Sequence, residues 1–263
     1  MDIVVLLKQV PDTTDVRIDR ETNTLIREGV PSIINPFDMY AIEEGLRIRE
    51  RAGRGTVTVM SMGPPQVEAS LRDALALGVD DAILLSDRAF AGSDTWSTSY
   101  ALAAAIRKLG RFDVILCGKQ AIDGDTGQVG PGVAGLLDVP QVTHVRKIDV
   151  MPDGTATVER LLEDGTDVLR VELPAVFSVV KDINEPRLPS LKGKMRAKKA
   201  EIRVWRSTDL DADAAEFGLD GSPTRVIRIF APEPRPGGRV IEGTVDEIVA
   251  ELAAELVPIV RGG

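Results

Sequence analysis

The chain has few of the side chains that usually carry chemistry. Its 263 residues include one cysteine, Cys117, and one histidine, His144. A single cysteine excludes an internal disulfide, and so small a His/Cys complement leaves no ligand set for a zinc or copper site of the usual kind. A Ser-His-Asp triad would have to use His144, which sits in the apolar run 139–145 and reads as a strand residue with a satisfied ring. Aromatic residues make up 4%, too few for base-stacking platforms. Lys and Arg number 32 against 41 Asp and Glu, a net charge of −9, which is the opposite of the basic face that nucleic acid needs. No apolar run approaches the roughly 18–20 residues of a membrane span. The start, Met1-Asp2-Ile3-Val4-Val5-Leu6-Leu7, has no basic leader and reads as the first strand of a cytoplasmic protein. No acid, base or nucleophile stands out, so any redox chemistry falls to an organic cofactor.

What is present is alternation. Segments 3–7, 56–60, 82–85 and 113–116 are apolar and rich in β-branched residues, and helical patterns separate them at 36–52, 66–77 and 94–109. Pro36 stands at a helix start, and Gly53 and Gly78 stand at helix ends. Segment 16–27, with Asn23 near its turn, reads as a hairpin excursion. Strands alternating with helices of this length predict a doubly wound, mainly parallel α/β sheet, whose ligands bind beyond the carboxyl ends of the strands. Those ends are 7–11, 61–65, 86–95 and 117–130.

The last of these ends is the most informative. Cys117-Gly-Lys-Gln-Ala-Ile-Asp-Gly-Asp-Thr-Gly-Gln-Val-Gly-Pro131 follows the apolar run Val114-Ile115-Leu116 and precedes a helical pattern at Val133, Leu136 and Leu137. A strand that breaks into a polar, glycine-rich turn and then a helix presents free backbone N–H groups and a positive helix end, which suits phosphate. The other reading is an ordinary connector, for which this turn is unusually rich in Gly, Asp and Gln.

After residue 140 the pattern changes. Segments 155–162 and 167–173 flank Glu163-Asp164-Gly165, a hairpin signal, and 175–180 reads as another strand. Segment 181–199 is an exposed, basic stretch in an acidic protein. It suits either a solvated loop with a basic helix start or a docking surface for an acidic partner. Residues 207–240 hold several prolines and read as an extended linker, and 244–259 reads as an amphipathic helix on that tether.

Several motifs together resemble the β subunit of electron transfer flavoproteins over nearly the whole chain. They are Leu7-Lys8-Gln9-Val10-Pro11, Ile34-Asn35-Pro36-Phe37-Asp38, Ser61-Met62-Gly63-Pro64, segment 117–130, Asn184-Glu185-Pro186-Arg187 and Met195-Arg196-Ala197-Lys198-Lys199. The resemblance implies an adenine-nucleotide α-hydrolase-like α/β domain over 1–206, including a recognition loop at 182–199. It also implies an arm, 207–263, that embraces an α subunit carrying one FAD. In the family the β pocket holds either a structural AMP or a second FAD, the latter in members that bifurcate electrons from NADH.

Residue by residue, the resemblance places Leu6 and the backbone of 7–9 on the adenine side. It makes Asn35, Pro36, Phe37 and Asp38 a second contact segment, with the Asn35 amide at a ring or ribose edge, and packs Met62 on the adenosine. Gln120, Ala121, Ile122, Asp123, Gly124, Asp125, Thr126, Gly127, Gln128, Val129 and Gly130 form the phosphate and ribose loop. Asp123 and Asp125 are candidates for ribose hydroxyls, and 126–130 for phosphate. Asp94 can cap a second helix start, where Thr95, Ser97 and Thr98 can meet phosphate or ribityl oxygens. That stretch resembles the FAD-binding group more than the AMP-binding one. The chain departs from that group at Gly127 and Gly132, where alanine and an acidic residue are frequent. Glu185, Arg187, Leu191, Lys198 and Lys199 fall in the recognition loop, with Leu191 as an apolar anchor and the lysines as steering charges.

The expectation is a β subunit whose FAD accepts hydride from NADH. One electron passes through the α-subunit FAD to an acyl-CoA dehydrogenase-type partner, the other to a low-potential carrier such as ferredoxin or flavodoxin. The alternatives are a non-bifurcating shuttle with AMP and a universal-stress-like nucleotide binder acting alone.

Overall fold

The structure, a computed structural model, describes residues 1–12, 31–227 and 237–261. The hairpin expected at 16–27 lies outside the described residues. The elements follow in order: β1 (Asp2–Leu6), β2 (Gln9–Pro11), β3 (Ser32–Ile34), α1 (Pro36–Ala52), β4 (Thr56–Met62), α2 (Glu68–Leu77), β5 (Asp81–Leu85), α3 (Thr95–Leu109), β6 (Val114–Gly118) and α4 (Val129–Leu137). Then come β7 (Gln141–Val150), β8 (Thr155–Leu161), β9 (Thr166–Glu172), β10 (Ala175–Val179), α5 (Leu191–Lys199), β11 (Arg203–Trp205) and α6 (Val245–Arg261).

The main sheet runs β11-β5-β4-β1-β6-β10-β7-β8-β9. It is parallel from β11 to β7, and β8 and β9 extend it as antiparallel strands. Both faces of the central strands are buried, which is why they read as unbroken apolar runs rather than alternating ones. Ile3, Val5, Val57 and Val59 face α1 and α2, where Ile42, Leu46, Leu71 and Leu75 meet them. Val4, Leu6, Met60 and Ile115 face α3 and α4, against Leu102, Ile106, Val133 and Ala134. Each of the Val, Leu, Ile and Met side chains among them contributes roughly 1.5–3 kcal/mol on burial. Strand order progresses from β1 to β4 and β5 in one direction and from β6 to β10 in the other. The switch point therefore lies between the carboxyl ends of β1 and β6.

Local chemistry sets the helix ends. Pro36 occupies the first turn of α1, and Gly53 ends that helix at φ +68° in the left-handed region that glycine adopts without strain. His144 lies within β7, but exposed, at φ +56°. It sits where the pairing of β7 shifts register, as bulges do.

The structure changes the reading of the chain after 206. Leu210 and Phe217 are buried, and the Phe217 ring stands edge-on to Phe90 at 5.1 Å between centroids and 5.6 Å from Tyr100. The compact unit thus runs from Met1 to Ile227, and a second unit spans Arg228–Gly263. Two isolated apolar side chains among Asp, Ala and Ser carry no periodicity, so this packing is invisible to pattern. Within the second unit, Thr244 begins α6 by donating from N and Oγ1 to Glu247 Oε2, both at 2.8 Å. Arg239 pairs with Glu251 at 2.7 Å, and Val245, Val249, Leu252 and Leu256 are exposed.

If 207–227 is part of the core, Phe217→Ala lowers the unfolding free energy in urea by about 3 kcal/mol or more. A loss under about 0.5 kcal/mol, as for an exposed linker side chain, would contradict the packing.

Candidate functional site

The switch point is organised by one buried side chain. Asp38, in the first turn of α1, accepts the Lys8 N–H on Oδ2 at 2.7 Å and the Gly118 N–H on Oδ1 at 3.0 Å. It ties the chain leaving β1 to the end of β6. Gly118 has to be glycine here: a Cβ would lie 2.5 Å from Phe37 Cβ and 2.6 Å from Asp38 Oδ1. Burial pushes the Asp38 carboxyl up to about 7, against the pull of its N–H donors and Lys8. Burial, with Asp38 beside it, also raises the Cys117 thiol, so Cys117 is a packing residue rather than a nucleophile.

Asn35 does not cap α1. Its side chain instead holds the next loop: Nδ2 donates to Gln120 O at 2.9 Å, and Oδ1 accepts from Ile122 N at 3.1 Å. The amide expected at a ring or ribose edge is buried and spent on positioning. The loop closes on itself as well. Gln120 Nε2 donates to Asp125 Oδ1 at 2.6 Å, and Asp125 N donates to Ala121 O at 2.9 Å. Asp125 and Gly127 take the left-handed conformation at φ +53° and +63°. Lys8 Nζ reaches Asp123 Oδ1 at 2.6 Å. Only the backbone of Lys8 is expected at the site from sequence; the signal for its side chain is a cation leaving β1 opposite an acidic loop.

Two helix starts meet beside this loop. Ser99 Oγ of α3 lies 3.4 Å from Val129 O of α4, and a Cβ on Gly132 would fall 2.5 Å from Ser99 Oγ. The departure at Gly132 is therefore steric: a side chain there would push the two helices apart. The two starts differ in chemistry. Asp94 caps α3, accepting from Ser97 N at 3.1 Å, and it also takes Thr224 N and Oγ1 at 2.9 and 2.7 Å. Burial opposes its charge, but these donors outweigh burial and hold the carboxyl below its ordinary range. Gln128 provides α4 with no side-chain cap, and no acid stands in its first turn. The first N–H groups of α4 are thus left for an outside acceptor. Gly130 lets α4 sit close on the sheet, since a Cβ would lie 2.7 Å from Cys117 Sγ.

The expected site residues divide accordingly. Leu6 is buried and Met62 half-buried on the α3/α4 face of the sheet. Pro36 and Phe37 open α1, with Lys119 Nζ 5.0 Å from the Phe37 ring. Thr95 and Thr98 are half-buried in the first turn of α3, whereas Ser97 is fully buried and donates to Glu216 O at 2.9 Å. Ile122, Asp123, Gly124, Asp125, Thr126 and Gln128 are exposed, Ala121, Gly127 and Val129 half-buried, and Gly130 buried. The five recognition-loop residues, Glu185, Arg187, Leu191, Lys198 and Lys199, are not brought to this crevice. Arg187 lies on α1 and α5 packs along α2, on the opposite face of the sheet. Among the described residues no cluster of His, Cys, Asp and Glu could hold a metal ion, and no helix is long and apolar enough to cross a membrane.

The electron transfer flavoprotein domain family matches residues 22–210. The electron transfer flavoprotein subunit beta of Thermoanaerobacterium thermosaccharolyticum is 52% identical over 257 residues, covering 97% of this chain and 98% of that protein. The caffeyl-CoA reductase-Etf complex subunit CarD of Acetobacterium woodii is 48% identical over 257 residues, 97% of this chain and 98% of that one. Protein FixA of Sinorhizobium fredii is 48% identical over 264 residues, covering 98% and 92%.

Asp38→Asn sets an amide donor against a backbone N–H and costs roughly 1–3 kcal/mol at about pH 5. The wild-type carboxyl, raised from 3.8 to about 7, keeps a proton that the unfolded chain releases. Its contribution to stability is full below the lower value and is lost as pH rises through the higher. Urea unfolding between about pH 5 and pH 8 should show the gap between wild type and variant narrowing. A gap independent of pH would contradict this assignment.

Proposed function

This chain belongs to the electron transfer flavoprotein family, as a β subunit, and from that premise we propose that it pairs with an α subunit and binds FAD at the crevice beyond β1 and β6. When bound, that FAD would supply acceptance of hydride from NADH and delivery of one electron through the α-subunit FAD to an acyl-CoA dehydrogenase-type enzyme, with the other going to a low-potential carrier such as ferredoxin or flavodoxin.

The observation that carries the proposal is the pairing of the α3 and α4 starts, one self-capped and one open. The open start of α4, through the N–H groups of Gln128, Val129 and Gly130, suits the pyrophosphate. The ionised Asp94 keeps a second anion away from the α3 start, so Thr95 and Thr98 serve neutral hydroxyls such as those of a ribityl chain. Asp123 and Asp125, exposed on the loop, suit ribose hydroxyls, and Leu6 and Met62 form the apolar side for adenine. The chain supplies no acid or base to the reaction; it binds, orients and excludes water. A docking role for 182–199 is supported by its basic, exposed character and by one relative's name, which places that protein in a complex with a caffeyl-CoA reductase.

The Asp94 cap also favours a second reading. With only one helix start open to an anion, a single phosphate would suffice, as in a shuttle that holds structural AMP. Counting flavin per purified heterodimer separates the two. The proposal expects two FAD per complex, and the loss of one of them when Gly130 is replaced by Val. One flavin together with AMP released on denaturation would overturn it in favour of the shuttle.

A further inference from the structure

Arg187 points inward. Its Nε donates to Glu43 Oε2 at 2.7 Å and its Nη1 to Glu50 Oε1 at 2.6 Å, while Nη2 reaches both carboxylates at 3.2 and 3.1 Å. Its backbone N–H adds a further bond to Glu43 Oε2 at 3.2 Å. Glu43 is 3% exposed and is paired on its other side with Arg47 at 2.6 Å. Burial alone would raise the Glu43 pKa, but the bonds from Arg187 and Arg47 reverse that and lower it. The neighbours of Arg187 are anchored on the same helix. Asn184 Nδ2 donates to Tyr40 O at 3.0 Å, and Arg47 Nη2 to Glu185 O at 3.1 Å.

α5 is fixed with equal care. Arg72 of α2 donates to Ala197 O at 2.7 Å near the end of α5, and Arg196 of α5 donates to Leu75 O at 2.8 Å near the end of α2. Each helix thus has its last carbonyls satisfied by the other's arginine. Between these two anchorages, the chain turns Leu188 (89% exposed) and Leu191 (77% exposed) into solvent. Exposed leucines on a loose strap would lose backbone entropy with every residue ordered on binding; on a fixed strap that loss has already been taken in folding.

We propose that the Glu43–Arg187–Glu50 clasp is a positioning device for docking. It holds 184–190 on α1 so that Leu188 and Leu191 form a ready-made two-point apolar tip, with Lys192 beside it and Lys198 and Lys199 in the last turn of α5. The partner surface it fits is an apolar socket with an acidic rim, on the enzyme that takes electrons from the complex. Arg187 acts through the strap and does not touch that partner. The inference rests on the docking role proposed above and assigns it two residues on α1, one of them buried.

The test uses the intact heterodimer with an acyl-CoA dehydrogenase as electron acceptor. Arg187→Gln and Glu43→Gln should each raise KM for the dehydrogenase about tenfold, with a much smaller change in kcat. The double variant should be no worse than either single one, because both break one unit. Amide exchange over 184–190 should speed up in both, while flavin content stays constant. Additive effects, or a raised KM for Arg187→Gln with Glu43→Gln silent, would mean that Arg187 touches the partner directly and would overturn the clasp. Leu191→Ala is the control: if it leaves KM unchanged, the docking role fails, whereas a raised KM in Leu191→Ala beside two silent clasp variants sinks only the clasp.

Discussion

A carboxyl group buried between two strand ends is the constraint on which the rest of this protein depends. Asp38 accepts one N–H from the chain leaving β1 and one from the end of β6, and in doing so fixes the switch point of the sheet. Keeping a carboxyl there is costly, as its raised pKa shows, and the cost is offset only because both oxygens are satisfied. With the strand ends tied, Asn35 can hold the following loop at Gln120 and Ile122, and Gly118 leaves the space that the Phe37-Asp38 turn occupies. The four residues from Asn35 to Asp38 thus build the floor and side of the crevice from a single helix start.

The same helix serves the other side of the molecule. α1 meets the crevice at its N-terminus and grips Arg187 through Glu43 and Glu50 further along. The crevice proposed for nucleotide and the strap proposed for docking lie on opposite faces of the sheet, yet both take their positions from one rigid element. A fixed crevice and a fixed contact surface that share one rigid element would suit the electron carrier proposed above. In the function proposed above, the protein's own residues orient and exclude water, and the redox chemistry belongs to the bound cofactor.

Much of this was legible in the sequence, and the gaps have physical reasons. The doubly wound sheet follows from apolar runs alternating with helical periods, because strands buried on both faces cannot alternate. The glycine-rich turn at 117–131 marked the candidate site because strand, turn and helix start are contiguous in sequence. What the sequence hid was partnership across long separations. Nothing local says that Asp38 and Asn35 turn inward to bind backbone rather than outward to a ligand, since both roles use the same side-chain groups. Arg187 looked like a surface cation because its carboxylates lie far back on α1. Phe217 looked like linker because a lone aromatic among small polar residues has no period. The Asp94 cap was visible from its place before Thr95, but its second grip on Thr224 was not.

The chain itself builds the crevice floor, with no ligand needed to join the strand ends. Residue-resolved amide exchange on the nucleotide-free heterodimer tests it most directly. The Lys8, Gly118 and Ile122 amides should exchange only through openings close to global unfolding, and adding FAD should leave them unchanged while slowing Val129 and Gly130. Lys8 and Gly118 amides that exchange freely until nucleotide is added would contradict the account, because the ligand rather than Asp38 would then be joining the strand ends.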